Sequence, residues 1–248
     1  MIIKQYGLQR SGTNYAKALI ENNFDIKVLS NGYGRKHDKF CFTPDRYKNY
    51  NIFKDKFVKT DLTKKESISV HRDFMNNDVI FLIIFKHPFK WVESYFRYVN
   101  RKNNLTLLEC DDDFIRKSCV RWNEYNLDWY NNIVLNSDLK SFVIFYDTLI
   151  KKQSLYMGCL GDRSGARRLH NGLVDINRKL WAGTDKTYKG MNADLNKIGY
   201  ENRYAYLNMD FKKTFLQRHR KILRSTIDFD LFANLKSHSE ECSKGDGR

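Results

Sequence analysis

Seven consecutive residues, Val79–Ile80–Phe81–Leu82–Ile83–Ile84–Phe85, are all β-branched, aromatic or leucine. A strand with one wet face alternates apolar and polar residues, so an unbroken apolar run predicts a central parallel strand covered on both faces. Pro88 closes the stretch, because proline cannot continue a central ladder.

A sheet buried on both sides needs helices on both sides, and the flanking sequence supplies amphipathic ones. Phe89 to Val99 brings Trp91, Val92, Tyr95, Phe96 and Val99 to one helical face; Asp112 to Val134 does the same with Ile115, Cys119, Trp122, Tyr125, Trp129 and Ile133. Ile2 to Tyr6 and Phe142 to Tyr146 read as further strands, Val28–Leu29 as a weak one, and Thr13 to Asn23 as a helix. Strands alternating with helices imply βαβ crossovers and a three-layer α/β/α fold around a parallel sheet. The rest is less regular: a polar segment at 38–77, a basic turn-rich stretch from Gly161 to Gly172, a loop from Trp181 to Tyr200, a basic helix from Ala205 to Arg224 and a short helix from Asp228 to Leu235. The expected organisation is one domain over 1–236 with a disordered polar tail at 237–248.

The chain's 248 residues carry 44 Lys and Arg against 29 Asp and Glu, a formal charge of +15 that predicts anionic partners. Because the cations are scattered through the chain, a disordered nucleic-acid-binding arm is not indicated and no specific nucleic-acid partner is expected. Cys41, Cys110, Cys119, Cys159 and Cys242 form no Cys-x-x-Cys pair, which argues for reduced thiols and against a zinc site or a disulfide framework; no metal is expected. No apolar leader follows the first residues, and the longest apolar run is far too short to span a bilayer, so a soluble cytoplasmic protein is expected.

The chemistry begins after the first strand. Gly7 and Gly12 bracket Leu8, Gln9, Arg10 and Ser11 in phosphate-loop spacing, so the backbone N–H groups from Arg10 to Asn14 can converge on a phosphate at a helix N-terminus. A triphosphate-cleaving loop would place lysine after Gly12, where this chain has Thr13 and Asn14. At the end of the apolar strand stands Lys86, with Pro88 two positions on and Ser94 eight positions on, putting a cation and a hydroxyl on the same sheet edge. Two phosphate sites on one edge describe a nucleotide phosphorylated at both ends.

This pairing resembles the sulfotransferases that use 3′-phosphoadenosine 5′-phosphosulfate (PAPS), in which an Arg-Ser-Gly-Thr loop holds the 5′-phosphosulfate and a strand ending in Arg-x-Pro, with a later serine, holds the 3′-phosphate. The resemblance implies a P-loop NTPase-like sulfotransferase fold with PAPS as donor and no metal. It carries Arg10, Ser11, Gly12, Thr13, Asn14 and Tyr15 onto the 5′ loop and Lys86 and Ser94 onto the 3′ site. Lys86 departs from the family's arginine, which keeps the charge and loses the bidentate fork. Trp122–Asn123–Glu124–Tyr125–Asn126 with Trp129, and Tyr146–Asp147–Thr148–Leu149, resemble two further family segments, so the likeness covers roughly the first 150 residues.

Sulfuryl transfer needs a cation where charge develops on the leaving oxygen and a base for the acceptor hydroxyl. Arg10 is the candidate cation. His37 is the candidate base, because Lys36–His37 resembles a pair after the second strand in some relatives, with Lys36 assisting at the bridging oxygen. His71, just before the third strand, is the competing base; His87 is expected to be structural. Lys186, Lys189 and Arg203 are candidates for a basic loop over the nucleotide. The acceptor is a hydroxyl or amine on a small molecule or glycan. A metal-dependent nucleotide kinase or other phosphotransferase and a non-catalytic basic nucleic-acid-binding protein are the rival classes.

Overall fold

The computed structural model describes residues 1–29, 35–40, 68, 71–73, 76, 78–103, 111–174 and 209–241. Four parallel strands, β1 (Ile2–Tyr6), β2 (Lys27–Leu29), β3 (Val79–Phe85) and β4 (Lys140–Phe145), form one sheet in the order β2-β1-β3-β4. Tyr6 of β1 pairs with Ile83 of β3, and Phe85 of β3 pairs with Phe145 of β4, so all four carboxyl ends face one edge.

Every residue of β3 is buried because successive side chains enter opposite cores. Phe81, Ile83 and Phe85 join one cluster with α2 (Pro88–Asn103), α3 (Asp112–Trp129), α6 (Met209–Thr226) and α7 (Phe229–Glu240). Ile80, Leu82 and Ile84 join the other, with α1 (Thr13–Asn23) and α5 (Gln153–Ser164). Helices therefore flank both faces of the sheet, as the apolar run demanded.

Several boundaries differ from those expected from sequence. The helix expected through Val134 ends as α-helix at Trp129 and continues as one π-turn, Tyr130–Val134, closed by the Leu135 N–H on the Tyr130 carbonyl at 2.9 Å. Tyr146 is not the end of β4; it begins the one-turn helix α4 (Tyr146–Leu149). Gly161 does not open a turn: α5 runs through it to Ser164 and stops at Gly165, whose φ of 61° suits glycine. The expected tail boundary at 237 falls within α7, which extends to Glu240 with Ser239 buried in its last turn. Those four residues look polar in sequence, but their helix is held by packing of Leu231 and Leu235 and by the Asp228 cap on the Leu231 N–H. Most of the 38–77 segment, the 181–200 loop and the start of the 205–224 helix lie outside the described residues.

Candidate functional site at the carboxyl edge of the sheet

The chain leaves β1 toward β2 on one side and reaches β3 on the other, so the carboxyl ends of β1 and β3 form a topological switch point, where open parallel sheets leave a crevice. Both sequence-derived loops emerge there. Gly7 follows β1 so closely against β3 that a Cβ would stand 2.5 Å from the Ile84 carbonyl oxygen. The Ser11 N–H closes the turn on the Leu8 carbonyl at 3.0 Å. Arg10 takes a left-handed φ of 72°, a conformation costing a non-glycine residue about 1–2 kcal/mol. Gly12 takes φ 93°, and a Cβ on it would fall 2.1 Å from Cδ2 of Tyr146. The loop is thus wedged between β3 and α4.

Gly12 is the N-cap of α1, and no side chain caps it. Ser11 and Thr13, both suited to capping by residue type, are buried instead; the Thr13 methyl packs where a Gly7 Cβ would be, at 2.8 Å. No carboxylate sits in the first turn. The positive end of α1 therefore carries neither a side-chain cap nor a first-turn carboxylate. Tyr15 contributes backbone there, while its side chain turns into the α5 core, edge-on to Tyr146 and accepting from Gln153 Nε2 at 2.6 Å.

The segment 35–40 docks on this loop from the β2 side. The Gly7 N–H donates to the Lys36 carbonyl at 2.9 Å, and His37 Nδ1 contacts the Gly7 carbonyl. A carbonyl only accepts, so Nδ1 carries the proton and Nε2 keeps its lone pair. Burial, helped by the nearby Lys36 and Arg121 charges, pushes the His37 pKa down to about 4, leaving the ring neutral at pH 7. Lys36 Nζ donates to Asn14 Oδ1, which brings a cation to the first turn of α1 from outside the loop.

At the end of β3, Lys86 is half-buried with its Nζ 5.7 Å over the Tyr146 ring. Burial lowers its pKa to about 8; Arg97 and Arg10 add to this, and Asp147 and Glu93 oppose it. Ser94 is buried on α2 one turn before Arg97, which pairs with buried Glu93 at 2.8 Å. Arg10 lies 5.9 Å from the Tyr98 ring, and its Nε–H is sealed from solvent without an acceptor among the described residues.

Sequence reasoning missed how these loops are held. Trp91, Trp122 and Trp129 were legible as a core face, yet each also sends its indole N–H to a loop carbonyl: Gln9 at 2.7 Å, Lys86 at 3.3 Å and Asp38 at 3.0 Å. It also missed Glu93–Arg97, whose four-residue spacing on one helix was the available signal. Tyr146 was noted only as a strand end, and nothing local in sequence announces its contact with Gly12.

The histidines separate by edge. His87 is structural, as expected: its Nδ1 accepts from the Phe89 N–H at 3.3 Å and its ring packs on Phe89 and Phe232. His71 lies two residues before Asp73, whose carboxylate holds the Met1 ammonium at 3.3 Å at the amino edge of the sheet. The five residues of β1 put that turn roughly 17 Å from the Gly7 loop at 3.3 Å per residue. Lys186, Lys189 and Arg203 lie outside the described residues.

These features define a parallel α/β protein with Arg10, Lys36 and Lys86 gathered at the carboxyl edge of its sheet. Among the described residues no cluster of three or more His, Cys, Asp or Glu could hold a metal ion, and no helix is long and apolar enough to cross a membrane. No protein-family model matches the chain, and neither the curated proteins nor the solved structures yield a match.

Proposed function

We propose that the protein is a sulfotransferase that moves a sulfuryl group from PAPS to an acceptor hydroxyl at this crevice, on a P-loop NTPase-like sheet. One observation carries the reading: an uncapped phosphate-type loop without the Walker lysine shares its sheet edge with a second cation, Lys86, at the end of the neighbouring strand. A single phosphate would need only the first. The donor fits the residues present, since the Arg10 Nε–H has no acceptor among the described residues and the N-terminus of α1 has no side-chain cap.

In this reading Arg10 and the first-turn N–H groups of Thr13 and Asn14 hold the 5′ end, and Lys86 with Ser94 holds the 3′-phosphate. His37 Nε2 takes the acceptor's proton as its oxygen bonds sulfur. The bond from sulfur to the 5′-phosphate oxygen then breaks, and 3′,5′-bisphosphoadenosine leaves. Arg10 and Lys36 stabilise the charge that gathers on the leaving oxygen.

Calorimetry with 3′,5′-bisphosphoadenosine, ADP and AMP tests the donor. The bisphosphate binds well above AMP, and Lys86→Ala removes most of that difference, about tenfold or more for a charge-assisted contact. With Lys86 titrating at about 8 in the free protein, bisphosphate affinity falls as pH rises through 8 to 9, because only the protonated amine attracts the phosphate. Equal affinity for AMP sinks the two-phosphate reading.

A further inference from the structure

Arg121, on α3, lies next to two tyrosine rings and holds an enclosed N–H. Tyr95 of α2 and Tyr125 of α3 flank it, with ring centroids 5.6 and 5.2 Å from its Cζ. Its Nε–H is sealed from solvent with no acceptor among the described residues. Glu124, three residues on and a natural helical partner, instead pairs with Lys39 at 3.5 Å. A desolvated guanidinium N–H without a partner is destabilising, and because Arg121 as a whole is only half-buried, a ligand meets it at the terminal nitrogens.

Arg121 stands between the two halves of the crevice. On one side, Lys39, two residues past His37, lies 5.8 Å from the Tyr125 ring. On the other, Trp91, which holds the Gln9 carbonyl, stacks on Tyr95 at 4.9 Å. The Arg121 charge also reaches the His37 ring. The donor's phosphates already have the α1 N-terminus, Arg10 and Lys86, so an anion at Arg121 belongs to the other substrate. With two tyrosine rings next to it and its Nε–H enclosed, the guanidinium is left with its two terminal nitrogens, and a planar two-oxygen carboxylate matches that pair best.

We infer that Arg121, with the Tyr95 and Tyr125 rings next to it, binds a carboxylate of the acceptor, so that the acceptor is a hydroxy acid such as a uronic saccharide or a phenolic acid. This rests on the sulfotransferase reading above. The test is a titration of the protein, free and saturated with 3′,5′-bisphosphoadenosine, following the nitrogen-15 resonance of Arg121 Nε–H. The probes are methyl glucuronide and 4-hydroxyphenylacetate, each beside its methyl ester. At least one acid shifts the Arg121 signal while its ester does not, and the acid that responds identifies the source. Arg121→Gln weakens that acid's binding tenfold or more and leaves bisphosphate affinity unchanged. No response to either acid, an equal response to an ester, or a shift produced by the nucleotide alone overturns the inference, and the wild-type titration decides this even if Arg121→Gln does not fold. If the bisphosphate shows no preference over AMP while an acid still finds Arg121, the donor reading fails and the anion site stands.

Discussion

His37 uses its two ring nitrogens differently. Nδ1 is committed to the Gly7 carbonyl, so the ring pins the loop, and in the sulfotransferase reading Nε2 is the nitrogen that takes the acceptor's proton. The two roles are separable by His37→Asn, whose amide N–H can keep the Gly7 contact while the base is lost. Turnover then drops about 10²–10⁴-fold, the range for losing general-base assistance, while bisphosphate affinity stays within a few-fold. In the wild type, kcat/KM holds down to acid pH and falls only as pH drops through about 4, where the ring charges, rather than near 6.5. An acid limb at 6.5, or a His37→Asn enzyme with full turnover, removes His37 as the base. His71 lies near the amino edge of the sheet, away from the Gly7 loop, so within the proposed reading strand direction favours His37.

At the scale of elements, the loop between β1 and α1 is shaped by what it touches more than by its own turn propensity. Gly12 is compressed against Tyr146 of α4 and holds a left-handed φ, so Gly12→Ala meets both a steric and a backbone penalty. Together these cost roughly 2–5 kcal/mol, read as a lowered urea midpoint. Tyr146→Ala in the same chain recovers the steric part and leaves the backbone part, so the double variant is more stable than Gly12→Ala alone. Additive losses in that cycle contradict the wedge. The three indole bonds from α2 and α3 widen what those helices do, since they bury a core face and also set the positions of all three crevice segments.

Over the whole molecule, the buried cations set how stability depends on pH. Lys4 is fully buried in β1 with its Nζ 4.5 Å over the Tyr6 ring, and burial holds its pKa well below the usual lysine value, against the pull of Asp38. His37 and His87 are lowered as well, burial being the main cause in each. For each of these groups the unfolded chain binds more protons than the folded one between the folded and the ordinary pKa, so stability rises with pH across that window. His37 alone makes the fold weaker below pH 4 than above 6.5, by an amount on the order of 3 kcal/mol. Glu21, raised by burial, works in the opposite direction over the carboxylate range. Urea midpoints therefore climb from about pH 4 to 7 and continue upward into the alkaline range, and Lys4→Met raises the midpoint at pH 7 while flattening the alkaline rise. A midpoint that falls over the same acid-to-neutral range contradicts this account.

The amino-acid sequence determined by itself those features that rest on local pattern. The unbroken Val79–Phe85 run specified a strand buried on both faces, because no exposed face could tolerate it. The helical stripes through Trp91 and Trp122 specified what covers one of those faces. Gly7 and Gly12 at phosphate-loop spacing located the turn, because only glycine meets those close approaches. What local pattern could not carry was decided by contacts between distant segments: the switch point between β1 and β3, the placement of His37 beside Gly7, the position of His71 near the opposite edge, and the two tyrosine rings next to Arg121. Each depends on strand order and helix packing, which bring residues 7, 37, 86, 121 and 146 to one edge although no short-range propensity links them. Ends of elements shifted for the same reason: α7 runs past Leu235 because the core holds its apolar side, whatever the polarity of its last turn.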